Sequence, residues 1–159
     1  MGAQAPDSAG VRFPPPLIYL VPLALGIWLR HLDPLIQVSP AAAALLKRAG
    51  IAMVIIAGAL LLWALTTFWR ARTAVIPHKT ATTLVIAGPY RLTRNPMYLG
   101  LTILYIGVSL WAAAVWPLLF LPMVIIVMRV AVINREEAYL ARRFGDQYRQ
   151  YQARVRRWI

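Results

Sequence analysis

Four apolar runs separated by polar stretches divide the chain, and their lengths predict its elements. The first, residues 13–29, is headed by Pro14, Pro15 and Pro16 and holds Pro22 inside. It lies near the short limit for a membrane span, which takes about 20 helical residues. Residues 30–39 read as a loop marked by Asp33-Pro34, after which Pro40 starts an alanine-rich helix that carries Lys47 and Arg48 at an interface. Residues 51–69 are the clearest span: no charge interrupts them, and Trp69, Arg70 and Arg72 close them. Gly58 and the alanines of this run would let another helix come close. Residues 96–114 form the third span, Trp116-Pro117 turns the chain without any charge, and residues 118–133 return as the fourth. The pattern predicts an all-α polytopic membrane protein with about four transmembrane helices.

Two polar stretches frame that last hairpin. Residues 70–95, with Pro77, Gly88 and Pro89, are long for a passive link, and long connections of this kind are more often functional or disordered. They end in Gly88-Pro89-Tyr90-Arg91-Leu92-Thr93-Arg94-Asn95-Pro96-Met97-Tyr98-Leu99-Gly100. Asn95 suits an N-cap and Pro96 the first helical position, where a missing N–H costs nothing. The free N–H groups and partial positive charge of that helix start can hold an anionic group, and Arg91 and Arg94 add to the tendency. The plainer reading has equal weight here: Asn-Pro caps a membrane helix while the arginines sit among headgroups.

The tail, residues 134–158, places Leu140, Phe144, Tyr148, Tyr151 and Val155 on one helical face, with Arg142, Arg143 and Arg149 largely elsewhere. That is the pattern of an amphipathic helix lying on anionic headgroups. Glu136 and Glu137 resist it, because Glu137 projects on the apolar side, where a carboxylate needs a cation or donor. Arg129, two turns earlier, is a candidate structural partner; a cationic ligand is the alternative.

Composition narrows the setting. The chain of 159 residues is 60% hydrophobic with a net charge of +12, which fits a membrane protein better than a soluble domain. The basic excess lies beside apolar runs, as headgroup contact requires, and no nucleic-acid motif accompanies it. Cysteine is absent, so disulfides, a thiolate nucleophile and Cys-ligated metal are excluded. His31 and His78 fall on opposite expected sides, so no two-histidine metal site is expected, and His78 reads as a loop residue. By the positive-inside rule the connection 70–95 and the tail are cytoplasmic; Arg30, Lys47 and Arg48 then fall on the other side, against the rule. Residues 1–12 are expected to be a disordered lead without the charged start or cleavage site of a signal peptide. The chain thus divides into this lead, the first two spans (13–69) and a functional half (70–159).

An anion-holding helix start, a carboxylate pair and an aromatic face on one membrane side complement a small zwitterion with an extra positive centre, such as S-adenosylmethionine. No protein nucleophile is then needed, since methyl transfer depends on alignment. The segment Gly88-Pro89-Tyr90 with Arg94 to Gly100, followed by Glu136-Glu137, Leu140, Phe144-Gly145, Tyr148, Tyr151 and Arg154-Val155, resembles the isoprenylcysteine carboxyl methyltransferase family and its phospholipid-methyltransferase-like bacterial relatives. The resemblance covers roughly the second half of the chain. It implies an integral-membrane methyltransferase of a bacterial inner membrane that uses S-adenosylmethionine. Its implied cofactor pocket comprises Gly88, Pro89, Tyr90, Arg94, Asn95, Pro96, Met97, Tyr98, Gly100, Glu136 and Glu137. Glu137, Tyr148 and Arg154 are the implied catalytic residues, and Tyr151 and Arg129 would face the acceptor. The implied partners are membrane lipids and a lipophilic acceptor: an isoprenylcysteine-type carboxylate, a lipid amine or a thiol.

Two departures bear on the carry-over. Asn95 stands where the eukaryotic enzymes have His, and the ending Val155-Arg156-Arg157-Trp158-Ile159 lacks the proline expected after the valine. Two other functions fit parts of the sequence. A membrane reductase of the sterol-reductase-like group, using NADPH, would want more basic contacts and no carboxylate pair. A non-catalytic adaptor would use the basic tail to bind lipid or a partner.

Overall fold

The computed structural model describes residues 10, 14–33, 35, 37–71 and 82–158, and among these it is helical without any strand. The expected disordered lead, Arg72 and His78 lie outside the described residues, apart from Gly10 of the lead. Three helices are long and apolar enough to cross a membrane, and a fourth apolar helix is shorter.

Helix α1 (Pro15–Leu32) starts where Pro15 can occupy the first turn and ends with the Asp33 N–H bonded to the Leu29 carbonyl at 2.9 Å. It runs three residues beyond the expected end at Leu29, because Arg30 and His31 complement the free carbonyls of the last turn instead of terminating the helix. Helix α2 (Pro40–Arg70) has 31 residues and is capped by Ser39, whose Oγ accepts from the Ala42 N–H at 3.3 Å. The alanine-rich helix and the span expected at 51–69 are therefore one helix, roughly 46 Å long at 1.5 Å per residue.

Gly50 would be a weak point in that helix, but α3 (Pro96–Trp111) packs against it there. Gly50, Ala57 and Ala64, seven residues apart, are the buried positions of α2. They meet Gly100 and Gly107 of α3: a Cβ on Gly107 would lie 3.0 Å from the Gly50 carbonyl oxygen, and one on Gly50 would collide with backbone atoms of Trp111 and Gly107. Small residues thus bring two backbones into contact, the usual source of helix association where lipid removes the hydrophobic drive.

The α3–α4 turn falls at Ala112–Ala114, with the Ala112 N–H on Val108 O and the Ala114 N–H on Ser109 O, both at 2.9 Å. Trp116-Pro117, expected to make this turn, instead lies in the first turn of α4 (Val115–Val127), where proline is tolerated. From α4 the chain passes through a wider, π-type stretch (Met128–Ile133) directly into α5 (Asn134–Phe144), with right-handed helical backbone throughout. The boundary expected between the fourth span and the tail, at 133/134, is not marked by a break. The break comes at Gly145, whose φ of +52° an L side chain rarely adopts and where a Cβ would meet nothing. Helix α6 (Asp146–Arg154) follows, and Val155 is extended, so the tail is two helices and a strap in place of one amphipathic helix.

Tyr19, Tyr105, Val124, Met128, Val132 and Tyr139 form the core between α1, α3, α4 and α5. The buried phenols are satisfied: Tyr19 Oη shares a 2.9 Å hydrogen bond with Thr102 Oγ1, and Tyr105 Oη donates to Pro117 O at 2.8 Å. Outside this core the helices are apolar and open, with Leu20 at 56%, Ile55 at 66% and Met123 at 64% exposure. Such faces require hydrocarbon around them, and the chain is a membrane protein. The end of α2, the start of α3, α5 and α6 all gather at one end of the bundle.

Candidate active site

The connection re-enters the structure as a short 3-10 turn, Gly88–Arg91, that presses Tyr90 inward. Gly88 has φ of +58°, and a Cβ there would also crowd Thr67 Oγ1 of α2. The Tyr90 ring meets Phe68 of α2 edge to face at 5.3 Å between centroids, and Tyr151 Oη donates to the Tyr90 carbonyl at 2.7 Å. Pro89 O accepts from the N–H groups of Leu92 and Thr93, at 3.1 and 3.3 Å. These bonds fix the loop that leads to α3.

Residues 93–95 are tied to the end of the chain. The Arg94 N–H donates to Arg156 O at 2.9 Å, Thr93 Oγ1 to Arg157 O at 2.9 Å, and Asn95 Nδ2 to Arg157 O at 3.2 Å. Asn95 does stand at the N-cap position, with its carbonyl accepting from the Leu99 N–H, but its side chain makes no capping bond. The tail strap uses that side chain instead. The anion-holding helix start expected from Asn95-Pro96 is thus partly covered by the strap.

The two carboxylates have separate partners. Glu137 is bonded through both oxygens to Arg157, Oε1 to Nε at 3.1 Å and Oε2 to Nη2 at 2.5 Å, and Arg94 Nη1 lies 3.6 Å from Oε1. The sequence-based partner for Glu137, Arg129, is exposed on the π-type stretch and in no ion pair among the described residues. Two cations from the start of α3 and the strap fill that place, because the strap folds back over α5. Glu136 instead accepts a 2.6 Å hydrogen bond from Tyr98 Oη and has no cationic partner among the described residues. On the other side of the cluster Arg94 Nε is buried and makes no hydrogen bond among the described residues.

The tyrosines pack beside this cluster. Tyr148 is almost fully buried, with its ring 6.1 Å from that of Tyr151. Burial and the charge of Glu137 push the Tyr148 phenol up to about 12, with Arg94 pulling the other way. Burial first, then the neighbouring Tyr148, also raises Tyr151. Burial, with Tyr151 and Glu136 nearby, raises Tyr90. All three remain neutral donors at ordinary pH, which fits hydrogen bonding better than proton abstraction. The hydrogen bond to Glu137, the largest cause, raises the Arg157 guanidinium.

A family model described as phospholipid methyltransferase matches residues 46–147, well over half of the chain. The chain belongs to the phospholipid methyltransferase family. The match runs from the first turns of α2 to the start of α6, so it takes in the glycine-packed helix pair and most of the cluster. A protein of Haemophilus influenzae, described only as uncharacterized, is 40% identical over 63 residues, which are 40% of this chain and all of that protein. No solved structure matches the chain.

In this methyltransferase-family chain, Tyr90, Arg94, Asn95, Tyr98, Glu136, Glu137, Tyr148 and Tyr151 come together from four separate segments. Pro89 and Pro96 are buried in the scaffold of the loop, and Met97 is half-buried in the first turn of α3. Gly100 belongs to the α2–α3 contact, where a Cβ would meet Leu61. Arg154, at the exposed end of α6, is in no ion pair among the described residues. Sequence reasoning missed Thr93, Phe68 and Arg157. Arg157 had no periodic signal, since a strap of four residues is too short to show one. Among the described residues no group of His, Asp and Glu is placed to hold a metal.

Proposed function

We propose that the chain is an S-adenosylmethionine-dependent methyltransferase acting on an amphipathic acceptor from the lipid phase. The observation that carries this reading is two unfilled positions in one cluster, among the described residues: a buried Arg94 Nε without an acceptor, although Nη1 faces Glu137, and a Glu136 carboxylate without a cation. A zwitterion with separate carboxylate and ammonium ends satisfies both, so the residues present fit the cofactor. Arg94 would hold its carboxylate, Glu136 its ammonium, and the tyrosine faces would tolerate its sulfonium. When bound, it supplies an electrophilic methyl group.

The chain's own residues then position and exclude. The Tyr98 hydroxyl orients the Glu136 carboxylate, and Glu137, held between Arg157 and Arg94, fixes the guanidinium of Arg94. The strap and the Tyr148–Tyr151 pair cover the cluster from water. Open apolar helix faces let an acceptor approach in the plane of the bilayer. A carboxylate acceptor needs no base, while an amine must lose a proton, for which a glutamate of the pair is the available group. The basic residues of the connection and tail support a cytoplasmic position for this end of the bundle, by the positive-inside tendency.

Calorimetric binding of S-adenosylmethionine and S-adenosylhomocysteine to the detergent-purified chain tests the reading. Saturable binding weakened at least tenfold by Glu136→Gln and by Arg94→Ala, about 1.4 kcal/mol each, is the expected result. Absence of binding by the folded wild-type chain would sink it. A lipid, prenyl-thiol and amine panel then identifies the acceptor.

A further inference from the structure

The opposite end of the bundle holds a groove between three helices. We propose that it binds the phosphate-bearing headgroup of an anionic phospholipid in the leaflet facing away from the methyltransferase cluster. The groove is about 480 Å³ and lies between the end of α1, the start of α2 and the end of α3. Arg30 and His31 come from α1, Lys47 from α2 and Trp111 from α3. Ala43, Ala44, Ala112 and Ala113 make up much of the remaining wall, and their small side chains leave the space open.

Charge is the first argument. Arg30 and His31 sit in the last turn of α1, where cations complement the helix dipole, and that alone would explain those two residues. It does not explain Lys47, which is two turns inside α2 and lines the same groove. None of the three is in an ion pair among the described residues. The acid at this end, Asp33, has its Oδ1 bonded to the Leu35 N–H at 2.9 Å. Two cations, Arg30 and Lys47, converge here beside His31 at the membrane face opposite the basic connection and tail, where the positive-inside tendency disfavours them. An anion seated among them offsets that cost.

Shape argues for a lipid over a soluble phosphate. Beside the cations the groove is walled by Ile27 and Trp111, and the face of α1 that carries Ile27 and His31 continues through exposed Ala24 to Leu20, 56% exposed. An amphipathic occupant uses both parts: its phosphate meets Arg30, His31 and Lys47 while its acyl chains lie along α1. Basic pockets between transmembrane helices bind lipid headgroups in this manner. A soluble anion gains nothing from the apolar wall.

Native mass spectrometry of the full-length chain in neutral detergent, offered equal amounts of phosphatidylglycerol and phosphatidylcholine with identical acyl chains, tests the site. The wild-type chain should retain phosphatidylglycerol preferentially. Arg30→Gln and Lys47→Gln should each lower the preference about fivefold, as expected for one cation beside a phosphate. Arg48→Gln removes a neighbouring exposed charge outside the groove and should leave the preference unchanged. Ala44→Phe fills the groove while keeping every charge, and should abolish the preference even if the charge variants fold poorly. Equal losses from Arg48→Gln and Lys47→Gln would mean diffuse surface charge and overturn the proposal. Retained preference in Ala44→Phe would overturn it too, as would displacement of the lipid by millimolar inorganic phosphate, which marks a soluble-anion site.

Discussion

Replacing Arg157 by alanine removes the two guanidinium bonds that tie the end of the chain to Glu137 but leaves the carbonyls of residues 156 and 157 available to Arg94, Thr93 and Asn95. The pair is partly buried, with side-chain exposures of 26% for Arg157 and 13% for Glu137. Breaking a fully buried pair costs about 3–5 kcal/mol because one charge is stranded. Two features reduce that figure here: Arg157 reaches solvent, and Arg94 Nη1 remains 3.6 Å from the same carboxylate. A loss of about 2 kcal/mol is therefore expected, within the range for hydrogen bonds to charged groups. The loss should appear first as opening of the strap. The assay is hydrogen exchange at the Arg94 amide, whose N–H is bonded to Arg156 O. If local opening governs exchange, 2 kcal/mol speeds it roughly 30-fold. Arg156→Ala removes an exposed neighbour with no ion pair among the described residues, and should change nothing. Arg157→Lys keeps the charge without the paired geometry and should fall between. Unchanged exchange in Arg157→Ala, or equal acceleration in Arg156→Ala, would refute the view that this ion pair latches the strap.

Two more expectations follow from packing and burial. Gly50→Ala should lower the melting temperature in detergent markedly, since its Cβ meets backbone of α3, whereas Gly58→Ala meets nothing and should be neutral or stabilising by about 0.5–1 kcal/mol. Tyr148, pushed up to about 12, should show no phenolate in a wild-type minus Tyr148→Phe absorbance titration below about pH 11. Its folded-state value is raised, so the stability gained by keeping it neutral is fully present below its ordinary value of 10 and is lost as pH rises through 12.

Much of the architecture was legible in the chain. Apolar runs of span length set the helical membrane fold, because hydrocarbon admits few alternatives for an unpaired backbone. The resemblance carried by the Gly88–Gly100 segment and the glutamate pair is borne out at the level of the phospholipid methyltransferase family. Boundaries were less legible. Where the expected elements met, near residue 50 and after residue 133, the helix runs on: α3 packs against Gly50 and supports α2 there, and right-handed helical backbone continues from α4 into α5.

By itself, the sequence determined which segments enter the bilayer, that small residues of the second span can admit another helix, and that one end of the bundle collects arginines, carboxylates and tyrosines; of the small residues it named, the alanines meet α3 while a Cβ on Gly58 would meet nothing. These follow from hydropathy, side-chain size and charge, which belong to each position alone. Only the tertiary structure decided the partners. It gave Glu137 to Arg157 and Arg94 instead of Arg129, gave Glu136 to Tyr98, and turned the Asn95 side chain toward the strap. The reason lies at Gly145 and Val155: a left-handed glycine and an extended valine fold the last residues back over α3 and α5. Contacts between residues 20 to 64 positions apart depend on that reversal, and no local periodicity encodes it.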